Sequence, residues 1–182
     1  MQARLLGLAD LLDRIGRAIG NVVAPLIFVM LAVILVEVIG RYFFNRPTPW
    51  AHDVSGWLQV AYVFLGGMYA MQRGYMVRVD VIYAALPKRA QALIDLTLGT
   101  ALFAVFAYVM ITRGLDFAMM SWRSGETSGT GVWRGPVWPA KFMVPIGVGL
   151  LTVAWIGHAA RQLAVFIDPS RADVDTDVKA VG

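Results

Sequence analysis

Ala18–Val36, AIGNVVAPLIFVMLAVILV, runs for 19 residues without a charged side chain. A helix rises 1.5 Å per residue, so about 20 apolar residues cross a hydrocarbon core roughly 30 Å thick. This window is therefore long enough to span a bilayer. Three more charge-free windows follow it: Val54–Gln72 of 19 residues, Leu96–Thr112 of 17 and Phe142–Ala160 of 19. Each is closed by charges at both ends, and none shows the ten-residue alternation of a membrane β-barrel. The pattern predicts an all-α integral membrane protein with four transmembrane helices.

Composition supports the reading. Of 182 residues, 58% are hydrophobic and only 15% charged, and the mean hydropathy is +0.64. A soluble domain averages roughly 45–50% apolar and about 25% charged, so a globule of this length has too little interior for the surplus. The net charge of +4 does not imply nucleic-acid binding, because the basic residues are strung between apolar runs rather than gathered on one face. Cysteine is absent, which removes disulfides, thiolate metal sites and thiol nucleophiles together.

Outside the windows, Arg4, Asp10, Asp13, Arg14 and Arg17 interleave with Leu5, Leu8, Leu12 and Ile15 at three- and four-residue spacing. That predicts a retained amphipathic helix lying in the interface, not a cleaved signal peptide. Arg73–Asp95 mixes apolar and charged positions, and Pro87 is placed to open a short helix at the cytoplasmic interface. Arg41–Asp53 is expected to form a tight outer elbow, and Arg113–Lys141 a long outer segment, loose at its glycine-rich middle. The membrane domain is expected to occupy residues 1–167, with 168–182 as a flexible tail. Ten Lys and Arg fall on the side of the termini and six on the other, so the positive-inside bias puts both termini in the cytoplasm. Trp50, Trp122, Trp133 and Trp138 all fall on the outer side, as in an interfacial belt.

Candidate chemistry is sparse. His52 and His158 are the only histidines, and roughly 25 Å of depth separates them, too far for one haem iron. No clustered metal ligands, catalytic triad or phosphate loop is present, so neither a cofactor nor a catalytic site is expected. Gly16-x-x-x-Gly20, Gly66-x-x-x-Ala70 and the Gly147/Gly149 pair after Pro145 offer close helix approach. Glu37 and Arg41 stand one helical turn apart and can pair where the first span leaves the lipid. In the second loop, Arg78 and Asp80 are spaced either to pair or to anchor at headgroups.

These loop residues carry a resemblance. Gly40-Arg41-Tyr42-Phe43-Phe44-Asn45-Arg46-Pro47, then Trp50 and Asp53, resembles the small permease subunit of tripartite ATP-independent periplasmic (TRAP) transporters. So do Val77-Arg78-Val79-Asp80, Trp122-x-x-Gly125-Glu126-x-Ser128, and Pro136-x-Trp138-Pro139 with Pro145 following. The matches occur in the family's order from about Arg41 to Leu151. Two positions depart from it: Asp53 stands where the family commonly has Glu, and Met76 where it commonly has His. The resemblance implies a bacterial inner-membrane subunit that scaffolds a large multi-span permease. The permease uses an ion gradient to take up organic anions, mostly carboxylates, delivered by a periplasmic binding protein. The loops are most similar to the branch associated with 2-oxo acids, mannitol or chloroaromatic compounds. The matching residues, with Gly66 and Gly147, are the candidates for partner contact or interfacial anchoring alongside membrane lipid. The alternative is a membrane-anchor subunit of a respiratory or other redox enzyme.

Overall fold

The computed structural model describes residues 2–73, 86–129 and 133–167. Arg78, Asp80 and the tail from residue 168 lie outside the described residues, as does most of the second loop. The chain is built from α1 (Gln2–Val23), α2 (Leu26–Phe43), α3 (Ala51–Gln72), α4 (Lys88–Ile94), α5 (Thr100–Ser124) and α6 (Trp138–Ile167). A π-helical turn over Asp95–Gly99 joins α4 to α5. Among the described residues the only extended pairing is one isolated antiparallel bridge between Thr127 and Pro136.

α3 and α6 form the centre of the bundle and share its largest interface. α1 packs on both of them, α2 packs chiefly on α3, and α5 lies along α6. The core gathers Met68, Met71 and Ala154, with Ile19, Leu150, Leu151, Val153 and Trp155 packed around them. Gly147 sets the central crossing distance. A Cβ built there would stand 2.5 Å from Phe64 Cβ and 2.6 Å from the Phe64 carbonyl carbon and oxygen, so only glycine lets the two backbones approach this closely.

Among the described residues, three helical stretches are long and apolar enough to cross a membrane: Leu11–Phe43, Arg89–Ser124 and Trp138–Ile167. α3, at 22 residues, is about 33 Å long and so has the length of a span. It falls outside that set because Gln59, Tyr62, Tyr69 and Gln72 dilute its apolar run, and its neighbours α1, α2 and α6 cover part of that polarity.

Three of the expected spans differ in their boundaries, α6 among them, since it overruns its window at both ends and takes in Lys141 and Arg161. The first window is broken at Ala24–Pro25, since Pro25 has no N–H to give the Asn21 carbonyl and the helix restarts at Leu26. The third is far longer than its charge-free window: the continuous helix Arg89–Ser124 has 36 residues, about 54 Å. Arg113, Asp116 and Arg123, expected in a loop, are therefore helical. A charge ends an apolar window but not a helix, and these side chains lie on a surface with room to project. α1 is helical as expected, with Gly16, Gly20 and Val23 as its buried face, and Pro87 opens α4 as the sequence indicated.

Candidate functional site

At one end of the bundle the elbow between α2 and α3 meets the loop between α5 and α6. The elbow closes on Glu37. Its carboxylate accepts a hydrogen bond from Arg41 Nη2 at 2.5 Å and from the Thr48 backbone N–H at 2.7 Å, and the Thr48 hydroxyl also donates to it. The i, i+4 spacing set up the first contact, whereas Thr48, eleven residues on, reaches Glu37 only because the chain reverses. Asn45 makes the reversal in a left-handed conformation (φ 51°), which its short polar side chain tolerates. The Arg46 N–H then donates to the Gly40 carbonyl at 2.8 Å. A Cβ at Gly40 would come within 2.9 Å of the Arg46 carbonyl oxygen, which explains the glycine. Arg41, Asn45 and Pro47 are exposed, as is Trp50.

Asp53, in the first turn of α3, is 9% exposed. It ties the elbow to the other loop by accepting a hydrogen bond from the Ser128 hydroxyl at 2.7 Å. Trp57 and Trp133 pack beside this contact with centroids 5.7 Å apart.

The loop leaves α5 through a Schellman motif. Gly125 takes φ 62°, its N–H donates to the Trp122 carbonyl and the Glu126 N–H donates to that of Ser121. The loop folds back as Ser128 N–H donates to the Gly135 carbonyl at 2.8 Å and Val137 N–H to that of Glu126 at 3.2 Å. Gly135 is buried, and Pro136 is half-buried where it bridges to Thr127. Trp122 and Trp138 meet edge to face at 4.4 Å. Lys141 donates to Glu126 at 2.5 Å while its ammonium lies 3.7 Å over the Phe117 ring. The Lys141 hydrogen bond holds the Glu126 carboxyl below the usual glutamate range.

Thus the structure brings Asp53, Gly125, Glu126, Ser128, Pro136 and Trp138 into one assembly, with Arg41, Asn45, Pro47 and Trp50 at its elbow. Gly147 is elsewhere, buried within the bundle, and Gly66 lines a groove between α1 and α3. Sequence reasoning missed Thr48, Gly135 and Lys141. For Lys141 the signal was the choice among basic residues near Glu126, where Arg123 is nearer in sequence but Lys141 is the one in contact.

The opposite end holds a second polar layer. Arg161 donates two hydrogen bonds to Asp13, at 2.6 and 3.0 Å, and Gln72 Nε2 donates to the Leu12 carbonyl at 2.9 Å. His158 Nε2 lies 3.4 Å from Asp95, and Trp155 stacks on Phe103 at 4.6 Å. His52 is exposed at the start of α3, so the two histidines sit at opposite ends. No group of three or more side chains able to hold a metal occurs among the described residues.

This arrangement has the character of a multi-pass membrane subunit whose ordered polar groups lie at the two ends and whose middle is apolar. The family model for the DctQ component of tripartite ATP-independent periplasmic transporters matches residues 30–165. The chain belongs to that family, the small permease component of TRAP transporters. No curated protein and no solved structure matches it.

Proposed function

We propose that this chain is the scaffolding, non-transporting subunit of a TRAP transporter in the bacterial inner membrane. α3 serves as the fourth span, both termini face the cytoplasm, and the Glu37–Asp53–Glu126 end faces the periplasm. A large multi-span permease moves the substrate, an organic anion of the carboxylate class, inward at the expense of an ion gradient after a periplasmic binding protein delivers it. The observation that carries this reading is α2. It has no buried residue, packs almost wholly on α3, and leaves Phe28 72% and Leu31 52% exposed. An apolar helix held on one side only suits a subunit completed by a larger membrane protein. The charge-free middles of the spans support the same view, because a desolvated carboxylate at the midplane requires charged or strongly polar partners.

The test is photo-crosslinking in membranes that express all three components. A crosslinker at Phe28 or Leu35 is expected to capture the large permease, and crosslinking to lipid alone from both positions would overturn the assignment of α2. For the periplasmic end, charge reversal at Glu126 is expected to slow uptake when binding protein is limiting. Unchanged uptake at every binding-protein concentration would leave that loop an anchor only.

A further inference from the structure

Beside the break at Ala24–Pro25, a groove lies between α1 and α3 that neither helix fills. It has a volume of about 410 Å³ and is walled by small residues, Gly20, Ala24, Gly66, Gly67 and Ala70, with Asn21 and Tyr69 toward one end. The volume lies in the range of built ligand sites, roughly 300–1,000 Å³. Its walls are apolar and it opens laterally, in helices long enough to span a membrane.

One mouth of the groove is basic. α1 and α3 run antiparallel, as the approaches of Gly16 to Gln72, Gly20 to Tyr69 and Gly66 to Val23 show. Arg17 lies one turn before Gly20 and Asn21 on the same face of α1, and Arg73 lies one turn after Tyr69 and Ala70 on the same face of α3. The two arginines therefore bracket the same end. Arg73 is held there by its guanidinium over the Tyr69 ring, 5.5 Å from the centroid. Neither arginine is ion-paired to a described carboxylate, since Asp13, the nearest acid on α1, is engaged by Arg161.

We propose that this groove binds one acidic glycerophospholipid. Its acyl chain lies along Gly20, Ala24, Gly66 and Ala70, and its phosphate lies between Arg17 and Arg73, with the Asn21 carboxamide at the ester level. Charge complementarity selects the occupant. A partner helix would fill the apolar length but would not use two arginines at its end, whereas basic pockets between membrane helices recognise anionic headgroups. The site is separate from the α2 surface assigned to the large permease, so either can fail without the other.

The full chain, purified alone and exchanged into nanodiscs of phosphatidylcholine with a minor fraction of phosphatidylglycerol, is analysed by native mass spectrometry for retained phospholipid. Wild type is expected to retain one phosphatidylglycerol in preference to phosphatidylcholine. Arg17→Gln with Arg73→Gln is expected to lower that preference roughly ten- to thirty-fold, the factor two such contacts supply at a membrane surface. The Arg17→Lys, Arg73→Lys pair should keep most of it. Gly66→Leu fills the groove, and its Cβ would meet only Val23, at 3.7 Å, so the fold should tolerate it while retention of either lipid is lost. Arg113→Gln, far from the groove, is expected to change nothing. Retention without headgroup preference, or wild-type retention by Gly66→Leu, would overturn the proposal. So would a Gly66→Leu variant that keeps its lipid but no longer co-purifies with the large permease, which would make the groove the seat of a partner helix.

Discussion

Replacing Gly147 by Ala tests whether the closeness of α3 and α6 holds the bundle together. In an ordinary helix this change stabilises by up to about 1 kcal/mol, because glycine is the poorer helix former. Here the new methyl would start 2.5 Å from Phe64 Cβ and 2.6 Å from its carbonyl group, and carbon atoms rest at about 3.5–4.0 Å. The helices must separate by about 1 Å along their largest interface, since the atoms in the way include backbone that cannot rotate aside. Overpacking against backbone falls in the upper part of the usual range, about 2–3 kcal/mol, so the net loss after the propensity gain is about 1–2 kcal/mol. For a chain of this size that lowers the melting temperature by roughly 2–8 °C. Gly149→Ala in the same helix is the internal control, because its Cβ would meet nothing within 4 Å and only the propensity gain applies. Thermal unfolding of the two variants in one detergent, followed by circular dichroism, should give shifts of opposite sign. A Gly147→Ala protein as stable as wild type would refute the close-approach argument.

Three further outcomes follow from the polar ends of the bundle. Asp13→Asn leaves Arg161 without its bidentate partner, and breaking a largely buried pair costs about 3–5 kcal/mol; limited proteolysis should cut near Leu12 faster, and Arg161→Gln in the same chain should add little. Asp53→Ala removes the acceptor of the Ser128 hydroxyl, at about 1.5–3 kcal/mol for a bond to a charged group, and should speed cleavage in the 125–137 loop, whereas Asp53→Glu, which keeps a carboxylate, should retain protection. The Glu126–Lys141 contact depends on pH. Because Lys141 holds the Glu126 carboxyl below its ordinary value, its stabilisation is complete above that range and is lost as pH falls through the lowered value. Loop protection should therefore decline at acid pH in wild type, whereas Glu126→Gln should remove that part of the pH dependence.

The sequence made some of this architecture plain and hid the rest for physical reasons. Charge-free windows located α2, α3, α5 and α6, because lipid excludes charge, and amphipathic spacing located α1. They misjudged the ends, because Arg113, Asp116 and Arg123 sit on a helix surface where charge is allowed. Glu37 and Arg41 could be paired from spacing alone, since a helix fixes where i and i+4 lie. Thr48 on Glu37, Lys141 on Glu126 and Ser128 on Asp53 could not, because those contacts cross reversals whose geometry depends on φ at Asn45 and Gly125. Gly147 was recognisable as a close-approach residue, but its neighbour Phe64 was not, since spacing within one helix does not reveal the helix it faces. For the same reason the resemblance named the residues of the elbow and loop without showing that Asp53 and Ser128 join them.

The proposed scaffolding role requires that this chain support transport without performing it. The direct measurement is uptake of labelled carboxylates into liposomes under an imposed sodium gradient, with purified protein reconstituted alone and together with the large permease and the binding protein. No uptake above empty liposomes is expected for this chain alone, and gradient-dependent uptake only when all three components are present. Saturable uptake by this chain alone would contradict it.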